Sequence, residues 1–233
     1  MKAAYIEKTG TPDVIQFGEL PTPAPQSGEV LVKVAAVSVN PIDTYIRSGL
    51  VAMQLPMPYV IGCDLAGVVE QAGPQCARFK PGDRVWGSNQ GLLGRQGTFA
   101  EYAAVREDFL YPTPSNAKDS DAAAAALVGI TAHLGLFRCA KLKAGETVFV
   151  NGGTGGVGSM VVQMAKAAGA RVITTVGTSD KAETCRGWGA DLVLNYKTDD
   201  VPDSIKRFSG GEGVDVWYET QREPDFLRAV PLI

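Results

Sequence analysis

"VFVNGGTGGVGSM", residues 148–160, places five glycines in the seven positions from 152 to 158, directly behind an apolar run. Glycine loses more conformational freedom on ordering than any other residue, so such a cluster marks backbone that must come close to something. In GxGxxG register Gly153, Gly155 and Gly158 lie between an expected strand, "TVFVNG", and an expected helix, "GSMVVQMAKAAGA". That context assigns the three glycines to a tight turn, to the approach of a diphosphate, and to close packing of helix on strand. The helix start adds unpaired N–H groups and the positive end of the dipole, worth a few tenths to ~1 kcal/mol per anionic contact. The sequence therefore predicts a dinucleotide site at Gly153, Gly155, Gly156, Val157 and Gly158, with Gly155, Gly156 and Val157 meeting the pyrophosphate. A plain glycine-rich turn is the competing account.

The end of the next strand decides which dinucleotide is expected. An NAD site carries Asp or Glu about 20 residues beyond the loop, bonded to the adenosine ribose. Here "RVITTVGTSDKAE" ends its strand at Val176 and Gly177 without an acid. Thr178, Ser179 and Lys181 follow and offer hydroxyls and a cation to a 2′-phosphate, so NADPH is expected over NADH. Against this, Lys181 can be an ordinary solvated lysine in the first turn of a helix, beside Asp180.

Downstream of the loop, strand and helix patterns alternate through "RVITTV", "SDKAETCRGWGA", "DLVLNY", "DDVPDSIKRFSG", "VDVWYE" and "EPDFLRAVPLI". Buried β-branched strands alternating with helices imply an α/β fold, a doubly wound parallel sheet with right-handed crossovers. Four strands are legible where the common dinucleotide-binding order has six. The missing strands are expected in residues outside this sequence, an unusually small sheet being the competing account. Upstream, residues 1 to about 115 read as short strands broken by Pro and Gly, the pattern of a compact β domain. "PTPSNAKDSDAAAAALVGITAHLGL" then turns helical, with Asp119 or Asp121 as candidate N-cap. The boundary is expected just before it, giving domains 1–117 and 118–233.

Bulk properties exclude more than they assign. Net charge is −3, with Lys and Arg scattered rather than gathered in a basic stripe, so nucleic acid is not an expected partner. Cys63, Cys76, Cys139 and Cys185 form no CxxC pair, and "MKAAYIEKTG" lacks a signal-peptide core. A reduced cytoplasmic setting is the default. No apolar run approaches the roughly 20 residues that cross a bilayer, so no membrane role is expected.

Several stretches together, "VNPIDTYIRSG" (39–49), "GCDLAGVVEQAG" (62–73), "KPGDRV" (80–85), "GITAHLGL" (129–136) and "NGGTGGVG" (151–158), resemble the medium-chain dehydrogenase/reductase superfamily. The likeness is to its zinc-free quinone oxidoreductase, or ζ-crystallin, branch. The resemblance implies a GroES-like catalytic β domain followed by a Rossmann domain that is C-terminally incomplete here, and a homodimer. Zinc-using relatives place their catalytic ligands where this chain has Asn40, Cys63 and Leu127. One possible ligand of three cannot hold zinc. The four-cysteine structural lobe of those relatives is also missing from "VWGSNQGLLGRQGTFAEYAAV", and the single histidine, His133, is expected to be a packed or partly exposed side chain. Cys63 is expected to be structural, and Asp64 to bond local backbone or an active-site partner.

By the same resemblance Asn40 and Tyr45 are the acceptor-side candidates, Tyr45 as a donor to a carbonyl oxygen or as a wall of the pocket. Asp43 and Arg47 can pair and stiffen their segment. Thr131 matches a position that contacts nicotinamide, and Tyr196 one near the adenine end; the side chains of "ETQRE" from Glu219 depart from the small residues common there. Lacking a Lewis acid, such a site suits quinones or α,β-unsaturated carbonyls, which spread incoming charge by conjugation. The expected function is an NADPH-dependent, zinc-independent reductase of these small molecules. Alternatives are an enoyl-thioester or alkenal double-bond reductase, and a non-catalytic NADPH-binding protein of the crystallin or RNA-binding kind.

Overall fold

Strand β1 (Lys2–Ile6) pairs antiparallel with β2 (Gln16–Glu19) on one side and with β4 (Tyr59–Val60) on the other. The computed structural model describes all residues, Met1–Ile233, and they divide into two units, Met1–Leu127 and Val128–Ile233.

In the first unit a second, antiparallel sheet has the order β7-β3-β5-β6-β8. Its strands are β3 (Glu29–Ala36), β5 (Leu65–Ala72), β6 (Arg84–Gly87), β7 (Tyr102–Arg106) and β8 (Leu110–Pro112). Side chains two apart meet in one core, Val30 with Val32 and Ala103 with Val105, joined by Leu65, Val69, Val85 and Leu110. That spacing is the pleat reading itself out as burial. Helix α1 (Pro41–Ser48) starts from an extended Asn40, has Pro at its first position, and ends on Gly49 in the left-handed region at φ 82°. Its Ile46 is buried with Ile6, Tyr59 and Ile61.

The loop between β6 and β7 is held by amide chemistry. Gln96 accepts from the Val60 N–H at 2.7 Å and donates to the Pro56 and Pro58 carbonyls at 3.0 and 2.8 Å. The Tyr59 hydroxyl donates to the Gly91 carbonyl at 2.8 Å.

The second unit is a parallel sheet of β9 (Thr147–Asn151), β10 (Arg171–Val176), β11 (Leu192–Asn195) and β12 (Val216–Glu219) in the order β11-β10-β9-β12. This is the order of the first four strands of a doubly wound dinucleotide-binding sheet, as expected. Both faces are covered. Val148 and Val150 pack with Val161, Val162 and Ala165 of α3 (Gly156–Ala167), while Phe149 and Ile173 pack with Val201 and Ile205 of α5 (Val201–Ser209). Helix α4 (Ser179–Gly187) follows β10, and α6 (Phe226–Ala229) lies near the end of the chain.

Helix α2 (Asp119–His133) begins at Asp119, so Asp119 and Asp121 lie inside its first turn rather than at the expected N-cap. There they still complement the helix dipole. Asp119 is turned to a partner the local sequence does not reveal, Arg84, at 2.6 Å. A π-helical turn, Leu134–Cys139, continues α2. The combined run 119–139 is long and apolar enough, by length and composition, to cross a membrane, which corrects the expectation of no such run. The charged residues of this stretch, Asp119, Asp121 and Arg138, sit near its ends and leave the middle apolar. Its Ala132 and Leu136 belong to the core of the second unit.

A methyl group built on Gly158 would sit 2.1 Å from the Gly152 carbonyl oxygen, and both atoms are fixed backbone. Gly158→Ala is expected to cost about 2 kcal/mol or more through overpacking, read as a clear fall in Tm against wild type.

Candidate functional site

The glycine loop falls into two kinds of glycine. Gly153 and Gly158 are buried, and a Cβ on Gly153 would lie 2.1 Å from the Thr174 hydroxyl oxygen. Packing therefore dictates both. Gly155 and Gly156 are exposed, and a Cβ on Gly155 would meet only the Gly152 carbonyl at 3.4 Å. Gly155 is thus bare on a side the protein does not fill, as a ligand-facing position needs. It is also the N-cap of α3, whose first intrahelical bond runs from the Ser159 N–H to the Gly155 carbonyl. The N–H groups of Gly156 and Val157 precede that bond and have no partner within the helix. Two donors followed by a helix start form a ready cradle for a diphosphate.

At the carboxyl edge of the sheet, β10 ends at Val176 and Thr178 is the N-cap of α4, with its side chain making no capping bond. Thr178, Ser179 and Lys181 are all exposed. Tyr196, just beyond β11, lies against Gly177, where a Cβ would come within 2.8 Å of its hydroxyl. Its ring is 57% exposed and carries the Lys197 ammonium 5.9 Å from its centroid. The structure therefore brings Gly177 and Tyr196 together and leaves the Thr178 and Ser179 side chains and Lys181 in solvent beside them.

Thr131 is exposed on α2, and its carbonyl accepts the Tyr218 hydroxyl at 2.9 Å. The Tyr218 ring occupies the space a Cβ on Gly135 would need, at 2.4 Å. Burial, with the nearby Cys139 thiol, pushes the Tyr218 hydroxyl up from its ordinary pKa, so it remains a donor. Beside the loop, Glu219 accepts the Asn151 amide and Thr220 donates to the Asn151 carbonyl.

In the first unit the candidate positions meet at a residue that the sequence left with no definite role. Asp64 is fully buried. Its Oδ2 accepts from Ser38 Oγ at 2.7 Å, Asn40 Nδ2 at 2.8 Å and the Leu127 N–H at 3.3 Å. Its Oδ1 is buried without a hydrogen-bond partner. Asn40 is 4% exposed and its Nδ2 also reaches Ser38 Oγ at 3.3 Å, so its donors face inward. Tyr45 lies half-buried on α1.

The expected pairing of Asp43 with Arg47 is not formed. Asp43 Oδ2 accepts the Asn40 N–H at 2.7 Å, and the Arg47 guanidinium donates to the Gly10 carbonyl, also at 2.7 Å. Burial pushes the Asp43 carboxyl up, opposed by the hydrogen bonds from Asn40 and Cys63. Cys63 is fully buried, and burial together with Asp43 and Asp64 pushes its thiol far above its ordinary value.

Asn40, Cys63 and Leu127 thus do converge around Asp64, but they do not fit zinc. An amide, a thiol held protonated and a leucine offer no anionic or imidazole triad. No group of three or more His, Cys, Asp or Glu is placed to hold a metal ion. His133 ends α2 exposed, its ring 5.1 Å from that of Phe137.

Residues 26–115 match the Alcohol dehydrogenase GroES-like domain, and residues 156–232 match a domain described as Zinc-binding dehydrogenase. The chain is similar to the quinone oxidoreductase of Rattus norvegicus, 38% identical over 220 residues that cover 94% of this chain and 66% of the relative. It thus spans just under two thirds of that relative's length. It is also similar to the 2-haloacrylate reductase of Burkholderia sp, 34% identical over 237 residues, covering 97% of this chain and 70% of the relative. Among solved structures, the Escherichia coli quinone oxidoreductase complexed with NADPH has a TM-score of 0.88 at 32% identity, covering 100% of this chain and 70% of that chain.

Of the four free cysteines only Cys139 is exposed, and Cys63 and Cys185 are buried. Because the thiolate is the reactive form, a thiol reagent near neutral pH is expected to label Cys139 first and to reach Cys63 only in denaturant. Mass mapping of the labelled peptides checks this.

Proposed function

The chain belongs to the medium-chain dehydrogenase/reductase family, and we propose that it is an NADPH-dependent reductase passing hydride to quinones or other conjugated carbonyls without zinc. The observation that carries the reading is the split in the glycine loop: two glycines demanded by packing, and one left open at the start of a helix. The likeness to an oxidoreductase solved with NADPH supports the choice of cofactor.

When bound, NADPH supplies the hydride. The Gly156 and Val157 N–H groups hold the pyrophosphate. Thr178, Ser179, Lys181 and Tyr196 would hold the phosphorylated adenosine end, since β10 ends at Val176, followed by Gly177, without the acid that bonds the ribose in an NAD site. Thr131, whose carbonyl is held by the Tyr218 hydroxyl, would contact the nicotinamide when the cofactor is bound. On the acceptor side Asn40 gives its amide hydrogens to Asp64 and Ser38, so its task is to fix the start of α1. Donation to the acceptor oxygen then falls to Tyr45, which is half-buried on α1. A donor at the site of developing charge is the expected form of stabilisation where no metal is held. Conjugated acceptors lower that charge at any one atom, which is why they suit this donor set. A cytoplasmic setting and a homodimer form part of the same proposal.

The likeness to a haloacrylate reductase favours a second reading within the same chemistry, reduction of an activated carbon–carbon double bond. NADPH and NADH oxidation measured against a panel of quinones, enones, 2-haloacrylates, enoyl thioesters and simple aldehydes separates the two. Turnover with quinones, NADPH preferred, is expected; turnover confined to the alkenes moves the assignment to the second reading, and rapid reduction of simple aldehydes refutes both. Tyr45→Phe is expected to lower kcat on the preferred acceptor by about tenfold to a hundredfold with little change in NADPH affinity, checked by steady-state kinetics and a binding titration.

A further inference from the structure

Three strand ends lie side by side at the carboxyl edge of the second unit's sheet, and their side chains form one directional chain of hydrogen bonds. Glu219 closes β12 and stands in register with Asn151, which closes β9. The Asn151 Nδ2 donates to both carboxylate oxygens, at 3.0 and 3.1 Å. Thr175 of β10 donates its hydroxyl to Asn151 Oδ1 at 2.9 Å. The oxygen of that same hydroxyl accepts the Gly152 N–H at 2.9 Å. The next amide, Gly153 N–H, goes to the Thr175 carbonyl at 3.1 Å.

The direction of this chain is set at one end. An ionised carboxylate can only accept, so Asn151 must turn its NH₂ toward Glu219 and its oxygen toward Thr175. Thr175 must then donate to Asn151, which leaves its lone pairs for Gly152. Glu219 is itself held by the Trp217 indole N–H at 3.2 Å and the Gln221 N–H at 2.8 Å, so its charge is shared among donors rather than presented to the loop. Gly152, at φ 87°, is the residue on which the loop leaves the strand. Anchoring its N–H fixes where Gly155, Gly156 and Val157 stand.

We propose that Glu219 is a positioning residue for the dinucleotide site, orienting the glycine loop through Asn151 and Thr175 without touching the cofactor. This rests on the reading that the loop holds the NADPH diphosphate. In Glu219→Gln the direction is no longer imposed: the new amide can face Asn151 with its own NH₂ and flip Asn151, whose NH₂ then donates to the Thr175 oxygen in competition with the Gly152 N–H. The double variant Asn151→Asp/Glu219→Gln restores the order with the carboxylate moved one strand over, since Asp at 151 accepts from both Gln at 219 and Thr175.

The test is NADPH titration of wild type, the single variant and the double variant, with Tm recorded for each. Glu219→Gln is expected to raise the Kd on the order of tenfold, and the double variant to return it to within about twofold of wild type, the loss and return being independent of any shift in Tm. An unchanged Kd in Glu219→Gln overturns the proposal, as does a double variant no tighter than the single. A wild-type protein that takes up no NADPH overturns the reading of the loop itself and the proposal with it, an outcome distinct from normal wild-type binding that the single variant leaves untouched.

Discussion

The contact on which the second unit depends is the approach of α3 to the end of β9, where Gly158 meets the Gly152 carbonyl with no room for a side chain. Any larger residue would push the helix off the strand. The first-turn N–H groups would then move with it, and the loop would lose the geometry that makes it a cradle. Fold and site are therefore one constraint at this point, because the packing that seats the helix also aims its donors.

The first unit is organised differently, around a buried carboxylate rather than a bare backbone. Burying a carboxylate is costly unless hydrogen bonds replace its water. Asp64 recovers part of that through Ser38, Asn40 and the Leu127 amide, which tie the segment before α1, the start of β5 and the interior of α2 to one atom. Of the three positions compared with zinc ligands in the sequence, two, Asn40 and Leu127, are thereby bonded to that one atom.

What was legible in the sequence follows the range of the interactions involved. The four parallel strands and their helices could be read because each carries its own signal: apolar, β-branched runs buried on both faces, and a glycine loop at a fixed offset. β4 and β8, of two and three residues, are too short for a pattern to show in the sequence. Side-chain partners were misread where the local guess competed with a distant one. Asp43 and Arg47 have helical i,i+4 spacing, yet Arg47 finds the Gly10 carbonyl and Asp43 the Asn40 N–H. Asp119 has the composition of a cap but answers to Arg84. The Asn151–Glu219 bond joins residues 68 apart, a pairing visible only once the parallel register is known.

In the loop between β6 and β7 one amide side chain gathers several backbone groups of the 56–60 segment. Gln96 holds three backbone groups on Pro56, Pro58 and Val60, and its release would free all three together. Exchange of the Val60 amide with solvent would then report the release of Gln96, and with it the two proline carbonyls.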